Sequence, residues 1–343
     1  MSTTTEHQQP PNSSSSIRGV VARHPVAAFL IMAFAFGWGG MLPLLLSENG
    51  PVTVLPMELP WMPFAGILSM LGLALPAFLV TAATDGKEGV RELLGRIFRW
   101  RVGVHWYLLA LFGLLVATLL GAIPFLGLGP LEELAQKWEL LFTLYLWAGL
   151  WGILVPFVLI NLWEETGWTG FMQHTLQERH GPLLASVLVA PAFALIHMPA
   201  YFVSGWLGGE DPSLGELPSV LFQMVITAVF AIFLRVVIMW LYNGSGRSVL
   251  IVALFHSAFN AISGSENITP ILLPGTAASL IPIGAVALIA VLLVVFTRGR
   301  LAYEPGRVAP RAAEGGERQP NQSCNNQCLR MGMRLYPRIA IRD

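Results

Sequence analysis

Eight apolar runs, each near the length needed to cross a bilayer, govern what this chain can fold into. They lie near 26–46, 62–82, 105–127, 140–163, 183–203, 219–242, 248–264 and 271–297. A helical crossing needs about 20 predominantly apolar residues, because hydrocarbon offers no water to its backbone polar groups. The run at 248–264 is short, and the one at 140–163 has an indistinct end, since apolar residues continue through Phe171 and Met172. Composition points the same way. Hydrophobic residues make up 55% of the 343 and charged residues 12%, against about 25% charged in an ordinary soluble domain. The expected fold is all-α: a polytopic membrane protein with eight transmembrane helices in a bundle. A soluble enzyme, a nucleic-acid binder and a disulfide scaffold are excluded. The zero net charge implies no strongly acidic or basic partner.

The arginines and lysines orient the bundle. Arg18 and Arg23 precede the first run, and Lys87, Arg91, Arg96, Arg99 and Arg101 lie between the second and third. Arg179 follows the fourth, Arg247 the sixth, and Arg298 and Arg300 the eighth. All fall on one side, and the positive-inside rule makes that side cytoplasmic, with both termini on it. Residues 1–25 read as a disordered cytoplasmic lead, 26–300 as the membrane domain and 301–343 as a disordered cytoplasmic tail whose arginines can touch anionic lipid. The segment 88–102 places Val90, Leu93, Leu94, Ile97, Phe98 and Val102 at helical spacing with arginines opposite, an interfacial amphipathic helix. All but two of the 20 basic residues are arginine, which hints at a GC-rich bacterial genome and hence a bacterial inner membrane. The two cysteines, Cys324 and Cys328, lie in the tail without further ligands for a zinc site. His24, His105, His174 and His180 fall near run ends and read as interfacial. Trp61, Trp106, Trp163, Trp206 and Trp240 read as an aromatic belt.

An ionisable group inside a membrane span is expensive and is a functional hypothesis by default. Those in question are Glu164 and Glu165 at the end of the fourth run, His197 in the fifth, Arg235 in the sixth, and His256, with the amide Asn260, in the seventh. His256 and Asn260 are four apart and share a helix face, as do Phe193 and His197. Glu164 and Glu165 are adjacent, about 100° apart on a helix, so one of them at most does the central chemistry. A carboxylate can act as general base on water. Two histidines, with or without a carboxylate, can hold a Zn²⁺ that acidifies it. An imidazole and a carboxamide can donate to a developing oxyanion. The set suits water attack on an amide. By helical rise His256 lies roughly 12 Å, and His197 roughly 21 Å, from the cytoplasmic ends of their runs. Glu164 joins either only if the fourth helix continues past it toward Phe171.

Three motifs carry a resemblance. WEETGWTGF at 163–171 resembles the EExxxR-type first motif of the CPBP (CAAX protease and bacteriocin-processing) intramembrane proteases, which include the type II CAAX prenyl endopeptidases. FALIH at 193–197 is similar to their FxxxH motif and HSAFN at 256–260 to their HxxxN motif, in the family's order. The resemblance covers about 150–265. It implies a glutamate-dependent, metal-assisted or metal-free endopeptidase that acts on a membrane-associated peptide or protein substrate. It implies that Glu164 activates the water and that His197 helps hold the water or a metal. His256 and Asn260 steady the oxyanion, Glu165 plays a supporting part, and His197 and His256 are the candidate ligands if Zn²⁺ is present. One position departs: the family's first motif ends in Arg where this chain has Thr169. Arg235 reads as an arginine snorkelling to the cytoplasmic surface, with spatial replacement of the missing arginine as the alternative. The departure leaves open a non-catalytic member acting as a peptide-binding immunity or scaffold protein. A transporter is the third reading, disfavoured because no internal repeat is evident.

Overall fold

The computed structural model describes residues 17–140, 160–203, 214–263 and 268–305, and every regular element among them is helical. Apart from single turns at Trp138–Leu140, Met198–Phe202 and Leu214–Glu216, these are in chain order α1 (Ile17–Arg23), α2 (Pro25–Leu45), α3 (Trp61–Thr84), α4 (Gly86–Ile97), α5 (Val104–Leu126) and α6 (Gly129–Gln136). After 160 come α7 (162–180), α8 (Pro182–Ile196), α9 (Leu217–Gly244), α10 (Val249–Ser263), α11 (Ile268–Leu272) and α12 (Ala277–Thr297). Local sequence sets several boundaries. Pro25 and Pro182 open α2 and α8, where the missing N–H costs nothing. Gly181, at φ 78°, makes the sharp break between α7 and α8, and a residue with a Cβ is disfavoured in that backbone region. Residues 17–23, read from sequence as part of a disordered lead, are helical, and Arg18 Nε donates to the Ala83 carbonyl at the end of α3 (2.9 Å).

Six helices are long and apolar enough to cross a membrane among the described residues: α2, α3, α5, α8 with the turn that follows it, α9 and α12. The sequence expectation of eight is met to that extent. Most of the expected fourth crossing, residues 141–159, lies outside the described residues. The seventh, α10, has 15 residues, about 22 Å of helix against a hydrocarbon core of about 30 Å. Large apolar side chains on α2, α5 and α12 face outward, the arrangement lipid requires.

The basic loops gather at one end of the bundle. Ser248 Oγ donates to the Arg99 carbonyl (2.6 Å), and Asn243 Nδ2 donates to the Leu301 carbonyl (3.1 Å). Leu301 itself is buried, so the chain is still packed where the tail was expected to begin; Cys324 and Cys328 lie outside the described residues. Helix α4 is amphipathic as expected, but Leu94 and Phe98 are exposed, whereas Arg96, placed by sequence on the solvent face, is buried with Leu93 and Ile97.

Candidate active site

Helix α7 determines where the acids go. It does not end near residue 163. Its α-helical turn at Leu162–Glu165 runs into a π-helical stretch at Thr166–Gln173 and then into α-helix at His174–His180. The fourth run therefore continues past Glu164 through Phe171, as the placement of that carboxylate requires. A π stretch widens the helix and turns its side chains out of the ordinary register, a feature common at functional sites. Here it packs against a second π stretch, Leu68–Ala74 within α3. Gly167 lies at that crossing, where a Cβ would come 2.9 Å from the Leu73 carbonyl oxygen.

The adjacent glutamates part company as their helical spacing requires. Glu165 is fully buried. Its Oε2 accepts from Arg235 Nη1 (2.9 Å) and from Thr169 Oγ1 (2.5 Å), and its Oε1 accepts from His256 Nδ1 (2.8 Å). Arg235 Nη1 also reaches Thr169 Oγ1 (3.3 Å), and its guanidinium lies over the Phe193 ring at 4.5 Å. The snorkelling arginine expected from sequence is overturned: Arg235 is 0% exposed. It supplies from α9 the positive charge that the first motif lacks at Thr169. The reason is electrostatic, since a buried carboxylate is tolerable only beside a counter-charge and donors.

Glu164, 5% exposed, points elsewhere. Its Oε1 lies 3.6 Å from His197 Nε2. His197 stands where α8 ends and a 3₁₀ turn, Met198–Phe202, begins, and its Nδ1 donates to the Phe193 carbonyl (2.7 Å). That bond puts a ring proton on Nδ1 and turns Nε2 toward Glu164. His256 is held in the same sense, with Nδ1–H on Glu165. Fixing one ring nitrogen by an acceptor selects the tautomer and the ring orientation. Both imidazoles border Phe193, at centroid distances of 4.7 Å for His197 and 6.2 Å for His256. The two histidines, at unequal heights by residue count, thus converge on one phenyl ring, so α8 and α10 are not in step from their ends.

Asn260 lies at the exposed edge of the group, one turn from His256. Its Nδ2 donates to Asn161 Oδ1 (3.3 Å), and Asn161 Nδ2 donates to Ser257 Oγ (2.7 Å). Sequence reading missed Asn161 and Ser257. The available signal was spacing: Asn161 lies three residues before Glu164 on one helix, and Ser257 directly follows His256. Glu164, Glu165, His197, His256 and Asn260 are all brought into one neighbourhood. Among the described residues no group of three His, Cys, Asp or Glu side chains stands at metal-ligand spacing. Glu165, the nearest carboxylate to His256, is already engaged by Arg235 and Thr169.

Residues 145–262, about a third of the chain, match the family model described as type II CAAX prenyl endopeptidase Rce1-like. No curated protein matches the chain.

Proposed function

On the match of residues 145–262 to the type II CAAX prenyl endopeptidase Rce1-like family model, we propose that this membrane protein is a glutamate-dependent endopeptidase that hydrolyses a peptide bond in a membrane-associated substrate. The observation that carries the reading is the division of labour between the two acids. Glu165 is bound on both oxygens, while among the described residues Glu164 faces the Nε2 side of His197 at 3.6 Å.

The chemistry follows from that division. A water bonded to Glu164 and His197 gives its proton to Glu164 as its oxygen attacks the scissile carbonyl carbon. The carbonyl electron pair moves onto its oxygen. The Asn260 carboxamide, oriented by Asn161, donates to that oxyanion, and the His256 ring, held by Glu165, stands beside it. Collapse of the tetrahedral intermediate breaks the C–N bond, and Glu164 returns its proton to the departing amine. Arg235 and Thr169 hold Glu165, which in turn holds the His256 ring. The departure at Thr169 that motivates a non-catalytic, peptide-binding role is met by Arg235, so hydrolysis is the reading favoured. The apolar helices fit an integral membrane protein, and the basic loops support a cytoplasmic placement of the end where they gather.

The test is cleavage of fluorogenic membrane-associated peptides by detergent-purified protein, wild type beside Glu164→Gln. A general base typically contributes about 10²–10⁴-fold, and the expected result is a rate loss in that range with an unchanged melting profile. Equal rates in the two proteins would sink the assignment.

A further inference from the structure

We propose that the basic end of the bundle carries a binding site for a phosphoryl anion, the headgroup of an anionic phospholipid, built around Arg96 and Arg247. The sequence leaves both among loop charges. In the fold Arg96 is only 8% exposed, and its Nε and Nη1 have no hydrogen-bond partner among the described residues. An arginine stays charged in any protein environment; the Tyr242 side chain gives Arg96 a hydrogen-bond partner, but two of its buried nitrogens are left unmet, which is unfavourable for a buried charge.

The surroundings are rich in donors and poor in acceptors. Arg96 and Arg247 both lie within electrostatic reach of His174 and Tyr242. His174, expected from sequence to be interfacial, is buried, and its Nδ1 meets the Tyr242 hydroxyl at 3.2 Å. One turn along α7, Gln177 is 1% exposed with both side-chain polar atoms unpartnered, and the buried Nε of Arg99 is unpartnered too. The carboxylates nearby are Glu178, 3.5 Å from His174 Nε2, and Glu92, within reach of Tyr242; both are exposed. Among the described residues neither forms an ion pair with Arg96 or Arg247. Arg247 is moreover fixed in the left-handed region at φ 70°, its N–H bonded to the Tyr242 carbonyl (2.7 Å). A non-glycine residue persists there only where the surroundings dictate it.

Unpartnered guanidinium and amide groups suit an anion with several oxygens, and phosphate geometry matches the arginine fork. The position favours a lipid as its source. Phe98 and Trp100 lie within four residues of Arg96, Trp100 is 61% exposed, and Arg101 stacks over it at 5.0 Å. Exposed aromatic residues beside arginines mark the headgroup level of a bilayer.

The test is the melting midpoint of the detergent-purified full chain with short-chain phosphatidylglycerol, short-chain phosphatidylcholine or inorganic phosphate added. A ligand bound by the native state alone raises the midpoint. The expected result is a rise of a few degrees with phosphatidylglycerol alone, lost in Arg96→Gln and in Arg247→Gln. Gln177→Ala, which leaves every charge in place, keeps the test decisive if an arginine variant does not fold, and is expected to diminish the rise. An equal rise with inorganic phosphate, lost in the same variants, would keep the phosphoryl site but overturn the lipid as its source. A rise shared by phosphatidylcholine, or retained in the variants, would overturn the site.

Discussion

Arg235 is the residue on which the site's electrostatics turn. Removing one partner of a buried pair strands the other charge, at about 3–5 kcal/mol. Arg235→Met is therefore expected to lower stability by roughly that amount and to abolish cleavage, because Glu165 then no longer orients His256. Thr169 lies one turn from Glu165 and bonds the same carboxylate oxygen. Adding Thr169→Arg to Arg235→Met returns a guanidinium to Glu165 from its own helix, and part of the lost melting temperature should return with it. No recovery in the double variant would mean that Arg235 matters through packing on Phe193 rather than through charge. Asn161 gives a second prediction. Asn161→Ala removes the acceptor that orients Asn260, and kcat should fall roughly 10-fold or more with KM little changed; a change confined to KM would place Asn161 in substrate binding instead.

At the scale of elements, the crossing of the two π stretches sets the position of α7. Small residues let helices approach closely where lipid supplies no hydrophobic drive between them. Gly167 allows that approach to Leu73, and Gly37 and Gly72 do the same between α2 and α3, where a Cβ on Gly72 would lie 2.7 Å from the Gly37 Cα. The obstacle is backbone in both places, which cannot swing away. Gly167→Ala should cost about 1–3 kcal/mol, read as a lower melting temperature. It should reduce cleavage by more than the unfolded fraction accounts for, because α7 carries both glutamates. An unchanged rate would show that the crossing serves stability alone.

At the scale of the whole molecule, the hydrogen bonds from Arg18 to Ala83, Ser248 to Arg99 and Asn243 to Leu301 draw the basic loops to one end. If that end is cytoplasmic, Cys324 and Cys328, the sole cysteines of the chain, should react with a membrane-impermeant maleimide in inside-out vesicles and stay unlabelled in right-side-out ones. Labelling from the outer face would reverse the orientation and, with it, the side from which substrate reaches Glu164.

Some of this could be read from residue order and some could not. Apolar runs of fixed length in a chain with few charges leave helices in a membrane as the sole economical outcome. Spacings of four residues place Phe193 with His197, and His256 with Asn260, because the helical period is fixed. Those are local facts, and the sequence by itself determined them. The partners of a charge are not local. Seventy residues separate Arg235 from Glu165 and ninety-one separate His256 from it, and nothing in the order of residues says which helices touch. The same limit hid Asn161, concealed the burial of Arg96 and His174, and made Thr169 look like a loss. Which acid is held and which is left facing His197 was decided only when the tertiary structure brought three helices together around one carboxylate, since a buried charge takes its partner from whatever packs against it.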